Sequence, residues 1–135
     1  MAFRERFISL LLGIQHRFYR MNELKIIKPT EVESHVLPGS TRVKRFITQE
    51  EDSSCFTLGL ATIDVGADHA INVTRQEKDE AYYMLNGKLS MVIGEKKLEA
   101  KEGDVVLFRS GRGYKVTNNG NEPAKLLYVI CPSAK

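Results

Sequence analysis

EAYYMLNGKLSMVIGEKKLEAKEGDVVLFRSGRGYKV, residues 80–116, decides the fold. Short runs with period-two alternation are cut at close intervals by turns at Asn86-Gly87, Gly94-Glu95, Glu102-Gly103-Asp104 and Ser110-Gly111-Arg112-Gly113. Side chains alternate faces along a strand, and Gly, Asn and Asp accept the backbone of a tight turn, so this rhythm reads as many short strands. It predicts strands over Glu80–Leu85, Lys88–Ile93, Lys96–Ala100, Val105–Phe108 and Tyr114–Thr117. Asn86-Gly87 reads as a hairpin turn, since both positions tolerate positive φ.

The same pattern continues outward. Phe56, Leu58 and Leu60 alternate with Thr57 and Gly59, Gly66-Ala67-Asp68 is a turn, and His69–Gln76 reads as a strand. After the turn at Asn118-Asn119-Gly120-Asn121, Lys125–Cys131 closes the sheet. No helical period competes between residues 26 and 135. An antiparallel barrel is the natural solution, because closing a sheet limits exposed strand edges. A chain of 135 residues is one domain long and buries a core without staples.

Two glycine frames are set in this pattern. The first is Glu80, six residues, Gly87; the second is Gly103, five residues, Arg109-Ser110-Gly111, two residues, Tyr114, three residues, Asn118. They resemble the cupin superfamily over roughly residues 55–131, whose motifs run G-x5-H-x-H-x3,4-E-x6-G and G-x5-P-x-G-x2-H-x3-N. The resemblance implies an all-β, cupin-type double-stranded β-helix (jelly-roll) barrel over residues 26–135, behind a helical leader over 1–25. In that family two His and the Glu of the first motif, with the His of the second, usually hold a metal. Here the first-motif His positions are Thr74 and Gln76 counted back from Glu80, or Asn72 and Thr74 counted forward from Gly66. Tyr114 stands at the second-motif His position, and Arg109 replaces the motif Pro. Of the four implied ligands only Glu80 remains, so no metal and no other cofactor is expected. The turn glycines and the GDV strand are also similar to the ethanolamine-utilisation cupin family, which likewise lacks the His ligands and is linked to acetate-kinase-like activity and microcompartments.

The polar positions then define a candidate site. Alternation puts Asn72, Thr74 and Gln76 on one face, and Glu80, Tyr82 and Met84 on one face of the next strand. With Tyr114 these residues would give the barrel a polar interior. Burying such groups without partners costs a few kcal/mol each, which a wet pocket or a bound ligand offsets. A carboxylate among hydroxyls and amides is a poor transition-metal site and a reasonable site for a small polar metabolite, a sugar or a carboxylic acid. The competing reading is a hydrogen-bonded polar cluster that only fills the lumen. If the chain is a metal-independent enzyme, Glu80 is the general acid or base and Tyr114 or Tyr82 the proton donor. Asn72, Thr74, Gln76, Tyr82 and Arg109 would bind the ligand, Arg109 through an anionic group at the barrel mouth. The alternatives are a non-catalytic sensor or accessory module, and a metal-dependent cupin with atypical ligands such as Glu80, Gln76 and a distant His. The three histidines, His16, His35 and His69, fall outside the motif positions.

Charge and cysteines narrow the class. The first 20 residues hold four arginines and one glutamate, which accounts for the whole net charge of +3; the remaining 16 basic and 16 acidic residues cancel. A neutral barrel lacks the basic face of a nucleic-acid binder. Cys55 and Cys131 lie in apolar runs and make no disulfide framework, which fits a reducing cytoplasm.

In the leader, Phe3, Phe7, Leu10, Leu11, Ile14 and Phe18 recur at three- and four-residue steps, one face of a helix. The apolar run FISLLLGI is too short to span a bilayer. Three readings stand: a helix packed on the barrel or on a second subunit, an extension upstream of a start at Met21, or a basic amphipathic helix on a membrane surface. The expected assembly is a homodimer, with residues 3–18 across the barrel or the partner.

Overall fold

The computed structural model describes residues 24–52, 54–71 and 77–132. Residues 1–23 of the expected leader lie outside these, as do Asn72, Thr74 and Gln76. Among the described residues ten strands form two antiparallel sheets: β1 (Ser34–Leu37), β2 (Thr41–Ile47), β3 (Thr57–Ile63), β4 (Asp68–Ile71), β5 (Lys78–Asn86), β6 (Lys88–Ile93), β7 (Lys96–Lys101), β8 (Val105–Phe108), β9 (Tyr114–Thr117) and β10 (Ala124–Pro132). A 3₁₀ turn (Pro29–Glu31) precedes β1, and a one-turn helix, α1 (Gln49–Asp52), follows β2. The six-stranded sheet has the order β1-β2-β3-β10-β5-β8, and the four-stranded sheet β4-β9-β6-β7. From β3 onward the chain crosses repeatedly between the sheets.

The strands from β6 to β10 follow the glycine punctuation of the sequence. The β1–β2 hairpin does not announce itself that way, since TRVKRFI carries charge at alternate steps and its turn rests on Gly39 and Ser40, both at positive φ. The turn at Gly87 also differs from expectation. It is not a hairpin: β5 pairs with β10 and β8, while β6 pairs with β7 and β9, so Asn86-Gly87 carries the chain from one sheet to the other. Gly87 adopts φ +76°, and a Cβ there would lie 2.9 Å from both Ala124 Cα and Pro123 O. Only glycine fits this crossing.

The core lies between the sheets. Ile63, Met84, Ala124 and Leu126 of the six-stranded sheet pack in one cluster with Leu89, Met91, Ala100 and Val116 of the four-stranded sheet. Asn118, the last residue of the second glycine frame, is fully buried. Its Nδ2 donates to the carbonyls of Ile63 and Glu122, both at 2.9 Å, and its Oδ1 accepts from Gly120 N at 3.0 Å. It ties the loop after β9 to the end of β3, which satisfies buried backbone groups that water cannot reach.

The outer faces differ. On the four-stranded sheet Asp68, Lys88, Lys97, Glu99, Lys101 and Lys115 are exposed. On the six-stranded sheet the register sets Leu58 and Leu60 of β3 beside Val129 and Leu127 of β10, these beside Ala81 and Tyr83 of β5, and these beside Leu107 and Val105 of β8. The inward positions of β3 are the smaller ones, Gly59 and Ala61, with Ile63.

Candidate functional site

A cavity of about 120 Å³ opens inside the barrel. Among the described residues its walls come entirely from the six-stranded sheet: Leu37, Thr41, Val43, Arg45, Thr57, Ala61, Ile63, Glu80, Tyr82, Tyr128 and Ile130. Alternation along β5 turns Glu80 and Tyr82 inward together, with 8% and 4% of their surface exposed. Beside them, on the register, stand Ile130 and Tyr128 of β10.

Tyr128 is held by a missing side chain. Gly59 is its partner on β3, and a Cβ there would sit 2.5 Å from the Tyr128 Cζ and hydroxyl and 2.7 Å from Lys44 O. The bare glycine lets the phenol ring lie over β3 and into the cavity. Thr41 supplies the other unusual feature. It is 2% exposed, and its Oγ1 has no hydrogen-bond partner among the described residues. An orphaned buried hydroxyl costs about 1–3 kcal/mol. Thr41 stands on the wall of the cavity.

The residues singled out by the sequence are distributed unevenly. Glu80 and Tyr82 share the cavity wall. Tyr114 does not line it: its ring packs edge-on against Phe108, centroids 5.1 Å apart, and Phe108 packs edge-on against Tyr82 at 4.7 Å. Tyr114 instead borders an apolar opening of about 400 Å³ between the edges of the two sheets, with Met91, Ile93, Leu98 and Val106. Arg109 is 70% exposed and lies 3.9 Å from Asp79, whose other oxygen accepts from Ser110 N at 2.9 Å. Asp79 precedes the inward-facing Glu80, so Arg109 braces the turn after β8 and is not on the cavity wall. Asn72, Thr74 and Gln76 lie outside the described residues.

Thr41, Arg45, Thr57 and Tyr128 were missed by sequence reading. They stand on strands outside the two glycine frames, and the signal for Tyr128 was Gly59 in a strand otherwise rich in large apolar residues, the mark of a close approach by a neighbour.

Of the motif positions implied to hold a metal, Glu80 is on the cavity wall, Tyr114 is off it, and residues 72–76 lie outside the described residues. Among the described residues no three His, Cys, Asp or Glu side chains come together. The cavity offers one carboxylate, Glu80, with neutral hydroxyls of Thr41, Thr57, Tyr82 and Tyr128. A borderline or soft transition metal selects imidazole or thiolate donors, which this wall lacks.

Comparison with known proteins gives the same architecture. The family described as the cupin domain matches residues 59–130. A curated relative, an uncharacterised protein of Methanocaldococcus jannaschii, is 31% identical over 76 residues, 56% of this chain and 60% of its own length. Among solved structures, a predicted oxalate decarboxylase of Thermotoga maritima superposes with a TM-score of 0.71 at 19% identity, covering 81% of this chain and all of that one. A putative ethanolamine utilization protein Q of Salmonella typhimurium gives 0.67 at 23% identity, covering 82% and 88%. The polyketide cyclase RemF of Streptomyces resistomycificus gives 0.69 at 16% identity, covering 82% and 80%. These likenesses establish the jelly-roll barrel and leave the chemistry to the site.

Proposed function

We propose, for a chain that belongs to the cupin domain family, that the cavity between Thr41 and Glu80 binds a small polyhydroxyl or hydroxy-acid metabolite without a metal. The observation that carries this reading is the buried Thr41 hydroxyl, without a partner among the described residues, on the wall that also holds the Glu80 carboxylate. A ligand hydroxyl can donate to the Glu80 carboxylate, and Thr41 marks a second polar point on the same wall, three strands away. Arg45 is exposed and borders the same cavity, where its guanidinium suits a ligand carboxylate. The volume favours a ligand of few atoms: engineered apolar cavities of roughly 150 Å³ hold a benzene ring.

A second reading assigns proton transfer to Glu80. It is favoured by the two phenols, Tyr82 and Tyr128, that share its wall. Both readings fit a cytoplasmic protein, since both cysteines are free and, among the described residues, no helix is long and apolar enough to cross a membrane.

The test is a thermal-shift and calorimetric screen of glycolate, lactate, malate, glycerol and simple sugars against the full chain. At a ligand concentration about 100 times Kd, stabilisation of about 2.7 kcal/mol is expected. It should vanish in Thr41→Val and Glu80→Gln. Responses in both variants equal to that of the unaltered chain would move binding elsewhere.

A further inference from the structure

We infer that residues 3–18 of this chain dock as a helix on the outer face of its own six-stranded sheet. Three observations converge. The first is the face itself. Antiparallel sheets that face water alternate apolar and polar residues, as the four-stranded sheet does. From β3 to β8 the outer face is apolar instead, and its far side is open, with Tyr83 46%, Leu107 51% and Val105 68% exposed. A contiguous apolar patch of this kind marks an interaction surface.

The second observation is where the chain arrives. Leu24, Ile27, Ile47 and Phe56 line a groove of about 300 Å³. Ile47 is the register partner of Leu58, so this groove borders the outer apolar face. Lys25 is fixed there by an ion pair with Asp52 at 2.7 Å. The 23 residues that precede Leu24 therefore start at one margin of the patch.

The third observation is the content and length of that segment. Its apolar residues, Phe3 to Phe18, repeat at helical spacing, and its arginines fall mostly off that stripe. Sixteen helical residues span about 24 Å. The four strands from β3 to β8 are about 15 Å across. The stripe is long enough to cover the patch from the groove to Val105 and Leu107. A second copy of the chain could bury the same patch, but it would leave the apolar stripe itself unmatched.

The chain contains no Trp, so Tyr83→Trp places a single reporter in the middle of the face. In the full chain its emission should be that of a buried indole and should not change on dilution. Adding Leu10→Lys and Ile14→Lys should shift the emission to the red while β-sheet circular dichroism is retained. Native Cys131, on the same face, gives a readout that leaves the sheet unaltered. In a Cys55→Ser background its reaction with a thiol reagent should be several-fold faster in the leader variant. A blue emission lost on dilution assigns the face to a second copy and overturns the inference. A red emission in the unaltered leader, or a Cys131 rate indifferent to the leader, overturns it as well.

Discussion

The four-stranded sheet shows lysines, Glu99 and Asp68 to solvent and apolar side chains to the core, while the six-stranded sheet is apolar on its outer face from β3 to β8 and holds the cavity with Glu80 on its inner one. The same strand period serves both sheets. On the first it separates water from core; on the second it separates an outer apolar face from the wall of a cavity. If the proposed site holds, the working half of this barrel is the six-stranded sheet, and the four-stranded sheet closes the core against it.

The comparison can be broken at the core. Leu89 and Leu126 are both fully buried, one on each sheet. Leu89→Ala and Leu126→Ala should each lower stability by about 2–5 kcal/mol, measured by urea unfolding. A much smaller loss at Leu89 would mean that the four-stranded sheet is a loose cover.

Next in size is Gly59→Ala. Its new methyl meets the Tyr128 ring and Lys44 O, and the backbone oxygen cannot step aside. Overpacking of this kind costs about 1–3 kcal/mol. Ligand stabilisation should weaken with it, because Tyr128 leaves the cavity wall.

Thr41→Val sharpens the comparison with the opposite sign. It removes a hydroxyl that has no partner among the described residues and keeps the shape, so the ligand-free protein should gain about 1 kcal/mol in the same unfolding measurement. A loss of stability there would mean that the hydroxyl is satisfied in solution. The smallest effect is expected on the four-stranded sheet's outer face, where Lys97→Ala and Glu99→Ala should each change stability by less than about 0.5 kcal/mol.

Much of the barrel was legible in residues 80–116, because glycines at fixed intervals mark turns whatever surrounds them. β6, β8 and β9 start and stop where the pattern puts them. Which sheet a strand joins is a long-range matter, and so the crossing at Gly87 read as a hairpin. Alternation likewise gives two faces without saying which is inward: Leu58 and Leu60 face out because Gly59 must lie under Tyr128. The inward pairing of Glu80 with Tyr82 was legible from a single strand. Thr41 and Arg45 were not, since they reach the cavity from a hairpin far along the chain, through the pairing of β2 with β3.

The most direct measurement is calorimetric titration of the screened hydroxy acid or polyol into the full chain, into Glu80→Gln and into Lys97→Ala, each stripped of metal by chelation. Binding to the chelated full chain is expected, with unchanged binding to Lys97→Ala and at least about a tenfold loss, roughly 1.4 kcal/mol, in Glu80→Gln. Binding that requires added metal, or that survives Glu80→Gln undiminished, would contradict the proposed site.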